Sequence, residues 1–251
     1  MNWHELRSPE IGALPRETIV VLPTAAVEQH GPHLPTGTDT LIAQGICRKL
    51  DEACAGRLLI LPVQQIGISE HHMKFPGTLS LTHESFKTAV TDTIDCVARQ
   101  GFRRVLLLNS HGGNQSVNGV IVEKAPSKWP ELDLLSTSWW RVAAEDLKPL
   151  VEGAYPAVGH ACEFETSVML ALHPNLVNMK AAVDDGLVHH APELRGDLLT
   201  GTVASAATTF DRLTGHGVFG RPSKASAEKG ERILQVAAQA MKRLLESYWR
   251  K

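Results

Sequence analysis

The stretch from Val20 to Thr40 constrains this chain more than any other, because a run typical of a buried strand leads directly into side chains that bind metal ions. Within twelve positions stand two carboxylates and two imidazoles: Glu28, His30, His33 and Asp39. Glu28 and His30 are two positions apart, so extended backbone directs both to the same side. Glycines and prolines between positions 31 and 37 predict a tight loop that can return Asp39 to this pair. We therefore predict a divalent-metal site here, with a polar surface loop as the alternative.

The composition limits the classes of partner. The chain has 251 residues, of which 43% are hydrophobic, and this is enough for a single α/β domain spanning residues 1–251. A formal net charge of −2 and the lack of a basic cluster argue against nucleic acid and anionic membranes as partners. The four cysteines form no CxxC pair, and the sequence shows neither a signal peptide nor a run of about 18 apolar residues. We expect a cytoplasmic protein with reduced thiols that acts on a small molecule.

Predicted strands and helices alternate along the chain, which favours a mostly parallel sheet covered by helices on both faces. The predicted strands cover 18–22, 57–63, 104–108 and 132–140. The predicted helices cover 40–53, about 83–100, a segment after 114, 161–172 and 225–248, and residues 175–214 are predicted to be irregular strands and loops. In such sheets the functional site lies beyond the carboxyl ends of the strands.

Two of these helices have predicted buried faces. Thr82 is the predicted N-cap of the helix that follows it, and its apolar stripe is Phe86, Val90, Ile94 and Val97. The buried side of the last helix is predicted to be Ile233, Val236, Ala240, Leu244 and Tyr248.

A second candidate for metal binding stands at the end of the third predicted strand. His111 lies at the mouth of that strand, where Gly112 and Gly113 allow backbone and substrate to approach closely. We predict that both glycines contact the substrate. The alternative for His111 is a cap of the following helix.

The segment GHACEFETS adds two acidic side chains on a predicted helix. Glu165 shares a face with Met169 and Leu172, so its carboxylate needs a partner or a metal ion. Glu163 lies roughly opposite and is expected to be solvated or hydrogen-bonded locally. Glu165 is therefore the preferred ligand of the two.

Five segments, taken in order, resemble the creatininase family of metal-dependent amidohydrolases. They are EQHGPHLPTGTD, SEHHMKFPGTLSL, NSHGGN, GHACEFETS and GVFGRPSKAS, and they extend from about Val20 to Ser226. The resemblance implies a three-layer α/β/α sandwich, a two-metal site and a homo-oligomer, typically a hexamer. It also implies roles for single residues: Glu28, His30, Asp39 and His111 match metal ligands, Asp39 bridges the two ions, His160 acts near the substrate, and Ser69 contacts the substrate.

Two departures separate this chain from creatininase itself. Creatininase carries Tyr-Glu after the histidine that matches His111, and that Glu binds metal, whereas this chain has Gly112 and Gly113. A second ion therefore needs another carboxylate, and Glu165 is the candidate. The tryptophan that creatininase places shortly before the histidine matching His160 is missing as well. The resemblance thus implies the metal centre but not creatinine as the substrate, and relatives that share Gly-Gly include formamide deformylases, a peptidase of cofactor maturation and a hydrolase of cyclic keto-sugars.

These residues predict metal-assisted hydrolysis. Two divalent ions lower the pKa of a bound water to about 7 or somewhat above, and the hydroxide attacks a polarised carbonyl, so we expect cleavage of a C–N bond in a small cyclic amide or formamide. His160 or Glu70 is expected to protonate the leaving amine. Zn²⁺ suits the histidine-bearing site, and Mn²⁺ or Fe²⁺ the more oxygen-rich one. Hydrolysis of a cyclic keto-sugar, a lactone or a small peptide on the same site is one alternative, and a non-catalytic metal-binding scaffold is another.

The remaining histidines receive lesser roles. His33 and His71 are candidates for positions behind the ligands, whereas His72, His83 and His216 are predicted to be surface or packing residues. The segment 215–220, GHGVFG, fits G-x-G-x-x-G but lacks the strand and helix that a dinucleotide site requires, so no such site is predicted.

Overall fold

A computed structural model describes residues 1–249, and its centre is a sheet of four parallel strands in the order β2-β1-β3-β4. A separate antiparallel pair, β5 and β6, lies outside this sheet. The strands are β1 (Ile19–Thr24), β2 (Leu59–Ile60), β3 (Arg104–Asn109), β4 (Asp133–Ser138), β5 (Val158–His160) and β6 (Phe219–Gly220). The inner strands β1 and β3 are apolar on both faces, as strands covered by helices on each side must be.

Helices connect the parallel strands and form the outer layers. They are α1 (Ser8–Ala13), α2 (Thr38–Ala53), α3 (His83–Arg99), α4 (Gln115–Lys128), α5 (Trp139–Val142), α6 (Ala144–Leu147), α7 (Glu163–Leu172) and α8 (Ala227–Tyr248). None of the helices in residues 1–249 combines the length and the hydropathy that a bilayer-spanning segment requires.

Two hydrophobic cores lie on opposite faces of the sheet. Val20 and Leu22 of β1 pack into the core that contains the apolar stripe of α3 and residues of α4. Val21, between them, packs into the core formed with α2, α7 and α8. Successive side chains of a strand alternate between faces, so this split defines a three-layer α/β/α sandwich and confirms the predicted fold class.

The helix after Thr82 follows the prediction closely. The Thr82 hydroxyl accepts a hydrogen bond from the Ser85 N–H at 3.1 Å, as an N-cap does. The whole predicted stripe of this helix is buried: Phe86, Val90, Ile94 and Val97.

Two predicted strands are longer than the observed ones. The strand predicted over 57–63 is reduced to Leu59–Ile60, because β2 is an edge strand and Pro62 has no N–H for the ladder. The strand predicted over 132–140 ends at Ser138, after which Trp139 and Trp140 begin the short helix α5 and are buried in the core.

The predicted buried side of α8 is partly wrong. Ile233 and Ala240 are buried, but Tyr248 is 51% exposed, and Leu234, Met241 and Leu245 form much of the contact face. The predicted positions from 236 onward are spaced by four residues. Since one turn takes 3.6 residues, such a row drifts around a long helix and leaves the core-facing side near its end.

The segment 175–214 is built of loops and short 3-10 turns, and within the described chain it contains no strand of its own. Part of it lies over the carboxyl end of the sheet, where it forms one wall of the cavity described below.

Candidate metal centre

The predicted ligands converge at the carboxyl ends of β1 and β3. Glu28 and His30 lie in the loop after β1, and His111 lies two residues beyond the end of β3. Asp39 is in the first turn of α2, and Glu165 is in the first turn of α7. All five side chains are buried, with residue exposures of 7% or less.

Asp39 stands at the centre of this group. Its Oδ1 lies 3.2 Å from His30 Nε2, and its Oδ2 lies 3.1 Å from His111 Nδ1. On the outer sides, Glu28 Oε1 lies 3.3 Å from His111 Nδ1, and Glu165 Oε1 lies 4.0 Å from His30 Nε2. Asp39 therefore offers one oxygen to each of two adjacent donor groups, which is the arrangement that a bridging carboxylate requires.

Three groups of donor atoms in the described residues are compact enough to hold a cation, with all donor atoms of a group within 4.8 Å of one another. The first is Glu28, Asp39 and His111; the second is His30, His160 and Glu165; the third is Glu28, His72 and His160. The carboxylate and imidazole composition of these groups fits Zn²⁺, Mn²⁺ or Fe²⁺.

Unpartnered atoms mark the same place. Glu28 Oε2, His30 Nε2 and Asp39 Oδ2 are buried without a hydrogen-bond partner. Buried polar atoms are normally satisfied, and leaving three close together unsatisfied is unfavourable. A bound cation would satisfy all three, so the residues fit a metal centre.

The pKa values of the candidate ligands also indicate a site for a cation. Burial acts to lower the pKa of His30, but Asp39, Glu165 and Glu28 raise it to about 9. Burial, with Asp39 and Glu28 adding to it and His30 opposing it, raises the pKa of Glu165 to about 7. Without a cation the cluster must therefore retain protons to offset its carboxylates. Metal binding releases such protons, because the ligands must be deprotonated.

The two histidine ligands are held by backbone carbonyls. His30 Nδ1 donates to the Glu28 carbonyl oxygen at 3.1 Å, and His111 Nε2 donates to the Ile68 carbonyl oxygen at 2.9 Å. The other ring nitrogen of each histidine then presents its lone pair to Asp39. This second-shell arrangement is typical of histidines that bind metal ions.

The two glycines after His111 differ in their surroundings. A Cβ at Gly113 would lie 2.1 Å from the Ile68 carbonyl oxygen and 2.5 Å from His111 Nε2, so no larger residue fits there without a shift. A Cβ at Gly112 would meet nothing within 4 Å. Both glycines line the cavity. A carboxylate at 113 is thus excluded by steric contact, and Glu165 supplies the acidic group near His30 instead.

The structure does not bring Glu70 to the cluster. Glu70 is exposed in the 3-10 turn Glu70–His72, and it is not among the residues that line the cavity. With three residues per revolution, Glu70 and His72 point in different directions, and it is His72 that turns inward. Ser69, next to the turn, is fully buried, with its Oγ 3.4 Å from His111 Nε2.

His72, predicted to be a surface or packing residue, is not on the surface but packs beside the candidate ligands. Its ring is buried at 1% exposure, its Nε2 lies 3.5 Å from Glu28 Oε1, and it stacks on Phe210 with a centroid distance of 4.1 Å. Sequence reasoning also missed Gln29, which contacts both His72 and His160. The only signal for either residue was its place beside a predicted site residue.

Of the two expectations for Glu163, solvation is wrong, whereas hydrogen bonding is observed. This carboxylate is fully buried, pairs with Lys229 Nζ, and accepts the N–H groups of Glu152 and Gly153 at 2.9 Å each. It is therefore a structural ion pair, and the preference for Glu165 as the ligand agrees with the geometry. His33 lies behind the site with Nε2 2.9 Å from Thr166 Oγ1, His71 lines the cavity, and His83 and His216 are exposed.

A cavity of about 460 Å³ opens over the candidate ligands. Its upper wall comes from residues 189–213, and Trp140, Phe210 and Phe219 add aromatic surface. Among the described residues that line it there are four carboxylates and no lysine or arginine. The cavity thus combines a buried cluster of metal-binding groups with an apolar wall and no fixed cation.

A sequence model of one family, described as creatininase, creatinine amidohydrolase, matches residues 4–245. The chain belongs to the creatininase family. It is 29% identical to the creatinine amidohydrolase of Pseudomonas putida over 96% of this chain and 92% of that protein. It is 26% identical to the 3-dehydro-scyllo-inosose hydrolase of Thermotoga maritima, over 90% and 76% of the two chains. It is 31% identical to the mycofactocin precursor peptide peptidase of Mycolicibacterium smegmatis, over 86% and 79%.

Solved structures of the creatininase family share the fold. The putative creatinine amidohydrolase of Bacteroides fragilis superposes with a TM-score of 0.84 at 25% identity, covering 100% of this chain and 97% of that one. Creatininase structures with a TM-score of 0.81 include a Zn–Zn form and a Mn form. This creatininase-family protein is a hydrolase, and its donor groups fit divalent metal ions as cofactors.

Proposed function

We propose that this enzyme hydrolyses the C–N bond of a small, uncharged amide, either a cyclic amide or a formamide. The observation that carries the proposal is the position of Asp39, whose two oxygens face His30 and His111 at the floor of the cavity. A shared carboxylate between two donor groups is the feature by which two ions act on one substrate.

The ligand roles follow from the distances. Glu28, Asp39 and His111 would hold one ion, and His30, Asp39 and Glu165 the other. Two divalent ions, when bound, supply Lewis-acid chemistry that acidifies a water and polarises a carbonyl. The rest of the site orients the substrate and excludes bulk water.

His160 is the proposed proton donor to the leaving amine. Its Nε2 is hydrogen-bonded to the Gln29 carbonyl oxygen at 2.7 Å, so the ring is fixed, and its Nδ1 faces Glu28 Oε1 at 3.5 Å. Burial, with His30 and His72 adding to it, holds the pKa of His160 well below its ordinary value, so the resting ring is neutral and readily gives up any proton that it receives during the reaction. Glu70, the other predicted donor, lies outside the cavity and is not retained in this role.

The wall of the cavity supports an uncharged substrate. No lysine or arginine lines it among the described residues, so there is no partner for a phosphate or a carboxylate group. The four carboxylates that line the cavity would balance the charge of two divalent ions. The aromatic faces of Phe210 and Phe219 suit a flat ring.

The test is turnover by the Zn²⁺- or Mn²⁺-loaded protein on cyclic amides, formamides, lactones, cyclic keto-sugars and short peptides, each in neutral and acidic form. We expect the neutral amides to be cleaved fastest. Preference for a keto-sugar or a peptide would replace the amide assignment by the activity of one of the relatives. Two bound ions and no turnover on any of these compounds would favour a non-catalytic scaffold.

Variants separate the roles. Asp39→Ala should lose both ions and lower turnover by about three orders of magnitude or more, because the activated water is lost with them. Asp92→Ala, an exposed aspartate on α3, is the matched control. His160→Ala should keep both ions and lose kcat. Full turnover in Asp39→Ala, or unchanged kcat in His160→Ala, would contradict the corresponding role.

A further inference from the structure

Gln29 stands between two candidate ligands, Glu28 and His30, and is 6% exposed. It contacts two buried histidines by two different groups. Its side-chain amide lies against His72, and its main-chain carbonyl lies against His160. Each contact is made to a ring nitrogen, and the Gln29 group in it is not a carboxylate. Each can therefore decide which ring nitrogen carries the hydrogen.

The orientation of the Gln29 amide is fixed by a donor. The Gly31 N–H donates to Gln29 Oε1 at 2.9 Å, so the other amide atom is the NH2 group. This NH2 lies 2.8 Å from His72 Nδ1. Because an NH2 group donates and cannot accept, His72 Nδ1 is the acceptor, and the ring hydrogen of His72 is on Nε2.

The main-chain carbonyl of Gln29 fixes His160 in the same tautomer, by accepting a hydrogen bond and not by donating one. The Gln29 carbonyl oxygen lies 2.7 Å from His160 Nε2, and a carbonyl can only accept, so the hydrogen of His160 is on Nε2. The Gln29 NH2 is also 3.1 Å from this nitrogen but cannot donate to it, because His160 Nε2 carries a hydrogen and has no free lone pair to accept one. The NH2 is therefore committed to His72.

Both rings turn their remaining nitrogen toward the same atom. His160 Nδ1 and His72 Nε2 each lie 3.5 Å from Glu28 Oε1. We propose that Gln29 is a positioning residue that fixes both rings in the Nε2–H tautomer. Because the two rings face Glu28 by different nitrogens, Glu28 meets a lone pair from His160 and an N–H from His72. The group Glu28, His72 and His160 is then not a third metal site, because one of its three atoms carries a hydrogen.

The surrounding residues restrict the Gln29 amide to a single position. The Gln29 N–H donates to Thr78 Oγ1 at 3.1 Å, which anchors the residue from the main chain. Gly217 has φ +73°, and a Cβ there would lie 2.0 Å from Gln29 Oε1. The chain thus approaches the amide as closely as a residue without a side chain permits.

The assignment of the tautomers can be tested without any substrate. The effect of the tautomers on kcat, in contrast, rests on the proposed function. Neutron diffraction from deuterium-exchanged crystals of the Zn²⁺-loaded protein reads them directly. We expect deuterium on His72 Nε2 and on His160 Nε2, and none on His72 Nδ1. Deuterium on His72 Nδ1 in the unmodified protein would overturn the proposal, whether or not any substrate is ever found.

Gln29→Glu tests the cause. It replaces the donor with an oxygen that accepts at the same place, so deuterium should appear on His72 Nδ1, while His160 keeps its own because the carbonyl of residue 29 remains. Gln115→Glu is the matched control, since the Gln115 amide also lines the cavity but donates to Ser138 Oγ at 3.1 Å and not to a histidine. An unchanged His72 in Gln29→Glu would show that another group sets its tautomer and would overturn the proposal.

A kinetic experiment uses the substrate that the wild-type enzyme cleaves fastest in the test described above. Gln29→Glu should lower kcat about 10- to 100-fold with both ions retained, as the loss of a second-shell partner typically does. The double variant Gln29→Glu/His72→Gln should recover most of this loss, because an amide at 72 donates to Glu28 and has no ring tautomer to be changed. If the two losses instead multiply, Gln29 does not act through His72.

Discussion

Glu163 and Glu165 stand two positions apart in the first turn of α7, and both are buried. The negative charges of these two carboxylates are compensated in different ways. Glu163 is surrounded by donors that belong to the fold: Lys229 and the N–H groups of Glu152 and Gly153. Glu165 faces His30 and two other carboxylates, and its pKa is raised to about 7.

The difference shows how one helix serves both stability and chemistry. A buried carboxylate that finds its cation within the chain stabilises the native state and is chemically quiet. A buried carboxylate that faces other acceptors has no such partner, and a cation from outside completes it. The following experiments would break or sharpen this distinction.

Lys229→Met should have the largest effect, a loss of about 3–5 kcal/mol in the free energy of unfolding, because it leaves Glu163 buried without its cation. Urea unfolding measures it. Lys49→Met, which breaks the more exposed pair with Glu231, should cost only about 0–1 kcal/mol. Metal content should stay at the wild-type level in both variants, and loss of an ion in Lys229→Met would contradict a purely structural role.

Glu165→Gln should show the reverse pattern. We expect one of two ions to be lost and kcat to fall by more than about 100-fold, since even an outer-shell partner is worth 10- to 100-fold. Elemental analysis of the purified protein gives the stoichiometry. Two ions per chain in this variant would exclude Glu165 as a ligand.

Removal of metal by a chelator should separate the two glutamates by their effect on stability, without any measurement of turnover. Saturation of a site at 100 times its Kd adds about 2.7 kcal/mol to the stability of the native state. Wild type and Lys229→Met should therefore gain equally when Zn²⁺ is restored, and Glu165→Gln should gain less. Equal gains in all three proteins would remove the distinction.

Asp185 provides the test with the smallest expected effect. Hydroxyl and N–H donors of the protein stabilise its carboxylate, so no metal ion is needed there. Burial opposes the shift, but hydrogen bonds from Thr214, His216 and Gly186 lower the pKa of Asp185 to about 2. A carboxyl with a lowered pKa stabilises the fold above its unfolded pKa of about 3.9, and this contribution is lost as the pH falls toward 2.

Asp185→Asn should therefore be less stable than wild type at pH 6, by a difference that shrinks as the pH falls from about 4 to 2. Urea unfolding at pH 6 and pH 3 measures the change. A chelator should not alter the difference, because Asp185 lies outside the three donor groups. A difference that grows toward low pH would contradict the assignment.

Local sequence patterns were sufficient for most of the scaffold. The cap at Thr82 and the stripe from Phe86 to Val97 depend on residues within one helix, and the structure reproduces them. The errors occur where a long-range geometric condition decides, as at the end of α8, where the helix turns Tyr248 away from the core. The single domain, the hexamer and the cytoplasmic location stay predictions.

The sequence by itself determined the types and order of the chemical groups: the Glu28–Asp39 loop after a strand, His111 after another, and Glu165 on an apolar helix face. These depend on neighbours in the chain, which a pattern can show. Tertiary structure alone decided which buried groups meet. Glu163 pairs with Lys229, 66 positions away, and His72 and His160 meet around Gln29 from distant segments of the chain. Partner choice for a buried charge is set by long-range packing, and no local spacing encodes it.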